Sequence, residues 1–263
     1  MLIESNEKYV PELIELWKKV FGDEEEYIRL FFEKAYYDSE FFGKVCDGKI
    51  VSGFYLLKCS IRYEGKIYDG RYLYAAATLP EYRSMGIMSE LIKEAMAYCK
   101  DKGLDFISLV PADDGLYDYY GRFGFYEAMY KYRLDINKET ATMRSFREIS
   151  DMSEVYKIRS SFKGNMLLYN ETASDYALSC LRFYGSRAFS LSEKAYYIES
   201  EELFCSDEDF SYITHSLINN LCSESSVYSN CCLNNAVKVR NGMIYCLDGK
   251  AEIKDIYMNI ALD

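Results

Sequence analysis

The residues that most suggest chemistry lie in a turn between a long apolar strand and an amphipathic helix. They are the consecutive residues Arg83-Ser84-Met85-Gly86-Ile87-Met88. A helix N-terminus presents free backbone N–H groups and partial positive charge, which favour an anion such as a pyrophosphate. Gly86 lacks a Cβ, so the backbone can approach a phosphate closely, and Arg83 can add a charge-assisted hydrogen bond. Taken alone, the turn also fits an ordinary strand-to-helix connection.

A tyrosine-rich segment follows the next helix and strand. It contains Tyr117 and Tyr120, and Tyr120 stands four residues before the pair Gly124-Phe125. A tyrosine hydroxyl can act as a general acid when it is placed against a leaving group. The chain has 27 tyrosines, so packing is the alternative role for each of them.

Together the two segments resemble the signatures of the GNAT superfamily of N-acetyltransferases. The first is similar to the acetyl-CoA pattern Arg/Gln-x-x-Gly-x-Gly/Ala that follows a strand and an x-Pro step. The second is similar to the family's tyrosine on a short helix before Gly-Phe. The resemblance covers roughly the first 135 residues. It departs from the pattern at Met88, where the family prefers Gly or Ala, and at Asp113, where many members carry Asn.

The resemblance implies an enzyme that transfers an acetyl group from acetyl-CoA to a primary amine by direct attack. The pantetheine arm would pair with the strand at residues 75–78, where a backbone N–H would polarise the thioester carbonyl. Tyr120 would protonate the leaving thiolate, with Tyr117 as the alternative acid. The implied donor-binding residues are Ala76, Ala77, Thr78, Arg83, Ser84, Met85, Gly86, Ile87, Met88, Asp113 and Tyr117.

The acceptor side is less defined by the sequence. Tyr72 and Tyr74 share an alternating strand face with Ala76, so they are candidates to shape the acceptor pocket. No general base can be assigned. The carboxylates near the expected cleft, which are equally ordinary loop charges, are Glu81, Asp113 and Asp114.

Three functions remain open. The first is an acetyltransferase for an amine of a small molecule, peptide or antibiotic. The second is an acyltransferase with another donor, a longer acyl-CoA or an aminoacyl-tRNA. The third is a non-catalytic acyl-CoA sensor, against which the hydroxyl of Tyr120 counts, because binding alone does not need it.

Charge and composition exclude several classes of function. The net charge is -11 without a basic block, which argues against nucleic acid, including tRNA, as a partner and suits a cationic amine. The single histidine, His215, reads as a structural or surface residue, so His-dependent triads and His-ligated metals are not expected. We expect no metal cofactor.

The sequence also indicates a compartment. The nine cysteines include the adjacent pair Cys231 and Cys232 but no CxxC pair, which favours free thiols in the cytoplasm. The N-terminus lacks the pattern of a secretory signal, and no stretch has the length of a membrane span. We therefore expect a cytoplasmic protein without a membrane partner, and homo-oligomerisation stays open.

Hydrophobic periodicity predicts an α/β fold. Two helices occupy the first 35 residues, and strands follow at residues 41–46, 50–60 and 67–78. The strongest helix is expected after residue 87, and a strand at residues 104–110, a short helix and a final strand complete this half.

The second half is predicted to be a smaller α/β unit. Its expected helices lie at residues 152–162 and 207–221, and its expected strands at 187–192, 195–200 and 243–247 and at the C-terminus. We predict a catalytic GNAT domain, with a central mixed and mostly antiparallel sheet, at residues 1–137. A degenerate GNAT-like domain, acting as a lid, wall or subunit contact, is predicted at 138–263. The layout resembles tandem GNAT-like proteins such as the Eis-like group, whose third, sterol-carrier-like domain we expect to be absent.

Overall fold

The computed structural model describes most of the chain. The described residues are 1–3, 5–135, 146–199, 202–205, 226–230, 236–247, 249 and 253–258. His215, the adjacent Cys231 and Cys232, and the helix predicted at 207–221 lie outside these ranges, as does most of the polar segment predicted as a linker after residue 135.

The first half follows the predicted order of elements. They are β1 (Leu2–Ile3), α1 (Val10–Phe21), α2 (Glu25–Lys34), β2 (Glu40–Cys46), β3 (Lys49–Tyr63), β4 (Lys66–Thr78), α3 (Ile87–Asp101), β5 (Phe106–Leu109), α4 (Asp114–Gly121) and β6 (Tyr126–Asp135). The hairpin between β2 and β3 turns at Asp47 and Gly48, both with positive φ, as the Asp-Gly pair predicts. The apolar stripes of α1 and α2 pack on one face of the sheet, where the ring centres of Trp17 and Phe31 lie 5.4 Å apart.

The second half contains more elements than the sequence predicts. They are β7 (Arg147–Glu148), α5 (Ser153–Ser161), β8 (Met166–Tyr169), α6 (Glu171–Phe183), β9 (Ala188–Ser192), β10 (Ala195–Ile198), β11 (Glu202–Cys205), β12 (Ser226–Ser229), β13 (Val237–Cys246) and β14 (Ile256–Tyr257). Helix α6 was not predicted, although Asn170 caps it by accepting from the Ala173 N–H at 2.9 Å. Its buried stripe is built largely from alanine, tyrosine and cysteine, which gives a weaker apolar period than leucine or isoleucine.

One mixed sheet joins the two halves. Its strand order is β1-β2-β3-β4-β5-β13-β6-β12-β11-β10-β9-β7, and most neighbours are antiparallel. Strand β13 comes from the second half yet lies between β5 and β6, with Met243 opposite Leu109 and Lys238 opposite Tyr132. The α/β class with a mostly antiparallel central sheet is confirmed. The domain boundary at 137/138 stays a prediction, and the sheet continues across it.

Two further strands connect the halves on the other side. Strand β8 pairs with β3 and with β14, and β14 pairs with β6. The strands β3, β4, β5, β13, β6, β14 and β8 therefore form a ring that contains parts of both halves. A side-chain contact also joins the halves: the Tyr74 hydroxyl on β4 hydrogen-bonds the Tyr176 hydroxyl on α6 at 2.8 Å, inside the core.

A buried ionic group stabilises the second half. The Glu202 carboxylate is fully buried and accepts hydrogen bonds from Arg159, from the Tyr196 hydroxyl and, at 2.6 Å, from the Tyr257 hydroxyl. A buried carboxylate needs such partners because its desolvation is costly. Since Arg159 lies on α5, Glu202 on β11 and Tyr257 on β14, the group ties three elements together.

The insertion of β13 makes a prediction about stability. A Cβ at Gly242 would lie 2.5 Å from Met129 Cε and 2.8 Å from the Leu109 carbonyl oxygen. We expect Gly242→Ala to lower the free energy of unfolding in urea by about 1 to 3 kcal/mol, because the clash pushes β13 away from both neighbours. Gly121→Ala is the matched control, since its Cβ would meet nothing within 4 Å. Equal stabilities of the two variants would contradict this view of β13.

Candidate functional site

Strands β4 and β5 separate at the point where the sequence places the donor site. Their parallel pairing is limited to three positions, from Gly70 opposite Phe106 to Tyr72 opposite Ser108. Strand β4 then continues to Thr78, whereas β5 ends at Leu109 and Pro111 follows soon after. The parting strands leave an edge of β4 without a partner from β5, and we call the space beside this edge the cleft.

A bulge interrupts β4 inside this cleft. The register against β3 shifts between Tyr55 and Gly53, so that Ala75 and Ala76 stand opposite the single residue Phe54. Ala75 has φ of 51°, a left-handed conformation that a residue with a Cβ seldom adopts. Bulges are frequent next to active sites, because they locally interrupt the ladder of backbone hydrogen bonds. The alanine side chains are small, so they leave space above this part of the strand.

The turn after β4 leads to a helix N-terminus that no side chain caps. Residues Pro80–Tyr82 form one 3-10 turn, and Gly86 precedes α3 with φ of 79°. No side chain caps α3, so its first backbone N–H groups are left for solvent or a ligand. A Cβ at Gly86 would meet nothing within 4 Å, and the Met85 side chain is 63% exposed. The uncapped helix N-terminus that the sequence predicts is therefore present and accessible, and its binding of an anion stays a prediction.

The other residues of the turn have distinct positions. Arg83 is exposed, and its Nε donates to the Thr78 carbonyl oxygen at 3.2 Å, which keeps the guanidinium beside the end of β4. Ser84 is exposed with φ of 62°. Ile87 and Met88 pack against the core, so the long side chain of Met88 is partly buried there. This packing accommodates the departure from the family pattern at that position.

Tyr120 lies on α4, the short helix that follows β5. Its side chain is 6% exposed and packs between the rings of Tyr119 and Phe125, at 5.2 and 5.8 Å. In the part of the chain that the structure describes, no hydrogen bond involves its hydroxyl. Burial raises the pKa of Tyr120 above its ordinary value, so the phenol stays protonated. A hydrogen bond of 3.2 Å from Tyr119 to Ser89 links α4 to the first turn of α3.

Asp113 and Tyr117 have structural contacts of their own. The Asp113 carboxylate caps α4 by accepting from the Leu116 N–H at 3.1 Å. The Arg240 guanidinium lies 4.1 Å from the Tyr117 ring centre, and Arg240 also bonds Asp114 at 2.5 Å. Burial raises the pKa of Tyr117, which is half-buried. Arg240 belongs to β13, so the inserted strand supports the base of α4.

The tyrosines predicted to shape the acceptor pocket belong to the core instead. Tyr72 and Tyr74 are 1% and 4% exposed, since α1, α2 and α6 cover that face of β4. A small cleft of about 10 Å³ lies beside the bulge on the α1 side. It is lined by Leu13, Leu16, Trp17, Phe21, Phe41, Gly53, Tyr55, Ala75 and Ala77. In the sequence, Trp17 and Phe21 are only members of the apolar stripe of a helix. Such a stripe does not show whether its residues line a pocket or pack in the core.

A larger cavity of about 400 Å³ lies at the other end of β4, against α5 and β8. Two ion pairs border it. Arg71 holds Glu40 in a two-pronged contact of 2.8 to 3.2 Å, and Lys58 bonds Asp38. Arg71 and Lys58 are each paired with a carboxylate, so neither of them offers an unpaired positive charge to the cavity. None of the predicted site residues borders it.

Metal-type clusters and membrane-spanning helices are both absent from the described residues. No cluster of three or more His, Cys, Asp or Glu side chains with the arrangement of a metal site occurs among them. No helix in the described ranges has the length and apolar character needed to cross a membrane. The cysteines described, which include Cys59 and Cys99, are free thiols.

The fold is similar to solved structures over nearly the whole chain. A probable N-acyltransferase of Enterococcus faecalis V583 is 16% identical with a TM-score of 0.72, and Eis1 of Mycobacterium abscessus is 11% identical with a TM-score of 0.69. Both alignments cover 94% of this chain and 72% of the other. A putative acetyltransferase of Pyrococcus horikoshii is 11% identical with a TM-score of 0.61, covering 100% of this chain and 93% of the other. At these identities the likeness concerns the fold.

Sequence comparisons give the family of the first half. A comparison with curated protein sequences finds no match. Residues 2–129 match the family model described as an acetyltransferase (GNAT) domain. This range contains the parting strands, the open turn at Gly86 and the buried Tyr120. The chain thus carries a GNAT acetyltransferase domain at residues 2–129, and nearly its whole length shares its fold with these solved structures.

Proposed function

We propose that the protein is an N-acetyltransferase that moves an acetyl group from acetyl-CoA to a primary amine. The observation that carries this proposal is the uncapped N-terminus of α3 behind Gly86, which follows the stretch of β4 that has no β5 partner. Such a terminus binds phosphate groups through backbone N–H groups and the helix dipole. A plain strand-to-helix turn does not need this open, left-handed glycine.

Donor binding follows from the unpaired backbone. The stretch of β4 beyond Tyr72 has no β5 partner, so a pantetheine amide chain can pair with Ala76, Ala77 and Thr78 as an added strand. The pyrophosphate is assigned to the backbone of residues 84–88, with Arg83 supplying a charge. Asp113 and Tyr117 are assigned to the wall of the pantetheine channel.

The chemistry assigned to the site is a direct transfer. The amine nitrogen bonds to the thioester carbonyl carbon, the carbon–sulfur bond breaks, and the proton of the Tyr120 hydroxyl goes to the sulfur. Because burial raises its pKa, the Tyr120 phenol is protonated at the start of each turnover, as a general acid has to be. A backbone N–H next to the bulge stabilises the carbonyl oxygen. The amine loses its own proton to water or to a base that we do not assign.

We propose that residues 1–137 carry out catalysis and that residues 138–263 hold the site in place. Strand β13 spaces β5 from β6, and α6 covers the face of β4 that bears Tyr74. We place the enzyme in the cytoplasm, since the described cysteines are free thiols.

The anion site can be tested by charge reversal. We expect calorimetric titration to show acetyl-CoA binding to the wild type, and Gly86→Glu to weaken it at least about 100-fold, because a carboxylate would repel the pyrophosphate. Gly65→Glu is the matched control, since Gly65 also has positive φ and open space but lies in the β3–β4 turn. A wild type that does not bind acetyl-CoA would refute the proposed donor.

The acid role can be tested by removing one hydroxyl. We expect Tyr120→Phe to keep the affinity for acetyl-CoA and to lower the rate of CoA thiol release with a panel of primary amines by about 10- to 1000-fold. Tyr117→Phe is the comparison, because it removes the hydroxyl of the alternative acid one turn earlier. If Tyr117→Phe alone loses turnover, the acid is Tyr117, and unchanged turnover in both variants would exclude a phenol acid.

A further inference from the structure

Aromatic side chains are exposed where the α1–α2 connection meets the end of α6. We call Phe21, Tyr27, Phe183 and Tyr184 the aromatic patch. Phe21, Phe183 and Tyr184 are 44%, 38% and 67% exposed. Tyr27 is buried beneath them, with ring centres 5.8 Å from Phe183 and 5.3 Å from Tyr184. Both halves of the chain therefore contribute to one apolar surface.

A carboxylate lies at the edge of the aromatic patch. Asp23 is half-buried, and its Oδ2 accepts from the indole N–H of Trp17 at 2.7 Å. The Asp23 charge lies close enough to Tyr184 to raise the pKa of that phenol, although burial has the larger effect. The nearby cations Lys18 and Arg29 both bond Glu25. Among the described residues, neither of these cations forms an ion pair with Asp23.

The aromatic patch is continuous with the cleft at the bulge. Trp17 and Phe21 line that cleft together with Ala75 and Ala77, and their rings lie 5.9 Å apart. The cleft of about 10 Å³ has room for one group of the size of a water molecule. The cleft is too small for the body of an acceptor, which has to stay outside, on the patch.

We propose that the acceptor is a small primary amine with an aromatic or bulky apolar body, and that the aromatic patch and Asp23 select it. The inference rests on the function proposed above. Asp23 binds the ammonium group through a charge-assisted hydrogen bond, and the neighbouring rings attract the same cation. The apolar body covers Phe21, Phe183 and Tyr184, and the nitrogen then faces the bulge at Ala75. Neutral molecules of the same shape bind more weakly, because their hydrogen bond to the carboxylate carries no positive charge.

The chain contains a built-in reporter for this site. Trp17 is its single tryptophan, and its indole N–H bonds Asp23. We expect 2-phenylethylamine to change the Trp17 fluorescence in a saturable way, and the isosteric alcohol 2-phenylethanol to bind at least about tenfold more weakly. Binding of both probes with equal affinity would overturn the role of the charge.

Substitution of Asp23 tests the role of the residue. Asp23→Asn keeps an oxygen for the Trp17 N–H but removes the charge. We expect it to raise the Kd of 2-phenylethylamine about 10- to 100-fold and to leave acetyl-CoA affinity unchanged. Asp101→Asn, the same change at the C-terminal end of α3, is the matched control. An unchanged Kd in Asp23→Asn would overturn the proposal.

The contribution of α6 is tested by the double variant Phe183→Ser with Tyr184→Ser. We expect about a tenfold weaker affinity for 2-phenylethylamine, because less apolar surface is buried, and no change in sedimentation. If the double variant instead dissociates an oligomer and keeps the amine affinity, the aromatic patch is a subunit contact and the proposal is wrong.

Calorimetry with acetyl-CoA separates this inference from the proposed function. If acetyl-CoA binds but 2-phenylethylamine up to about 10 mM leaves Trp17 unchanged, in the weak range of ligand affinities, the acceptor inference fails and the donor site stands. If acetyl-CoA does not bind at all, the proposed function fails, and the acceptor inference falls with it.

Discussion

The separation of β4 from β5 is the constraint on which the rest of the structure depends. Parallel strands would normally continue to pair, but here the pairing stops after Tyr72. Three local features fit this arrangement. Where the strands are in contact, the Phe106 ring occupies the space that a side chain at Gly70 would take. Strand β5 is followed by Pro111, which has no N–H to donate to a neighbouring strand. The bulge at Ala75 interrupts the pairing of β4 with β3. A cleft with unpaired backbone results, and α3 starts at its end.

The second half supports this cleft from two sides. Strand β13 lies between β5 and β6, and its Arg240 stacks on Tyr117 of α4. On the opposite face α6 covers β4 through the Tyr74–Tyr176 hydrogen bond. The buried Glu202 group then joins α5, β11 and β14, which makes this support rigid. The proposed donor site thus depends on residues far away in the sequence.

The charge of the molecule and its candidate acceptor surface agree with each other. A net charge of -11 attracts amines over long range, whereas the aromatic patch and Asp23 act at contact. The two effects serve different steps, since the long-range field raises the rate of encounter and the contact groups set affinity and selectivity. The donor's phosphates, by contrast, need the local positive potential at α3 to overcome the same field.

The sequence by itself determined the features that depend on near neighbours. The stripe of α3, the turn at Gly86 and the spacing from Tyr120 to Phe125 all follow from backbone preferences and periods within a few residues. The sequence therefore predicted the main elements of the first half and the uncapped helix N-terminus at Gly86. It did not predict α6, whose small and tyrosine side chains give a weak period, or the burial of Tyr72 and Tyr74. Only the tertiary structure placed β13 between β5 and β6, and only it brought Phe183 and Tyr184 to Asp23. Such contacts join residues more than 100 positions apart, and they form because complementary buried surfaces fit, which no local pattern encodes.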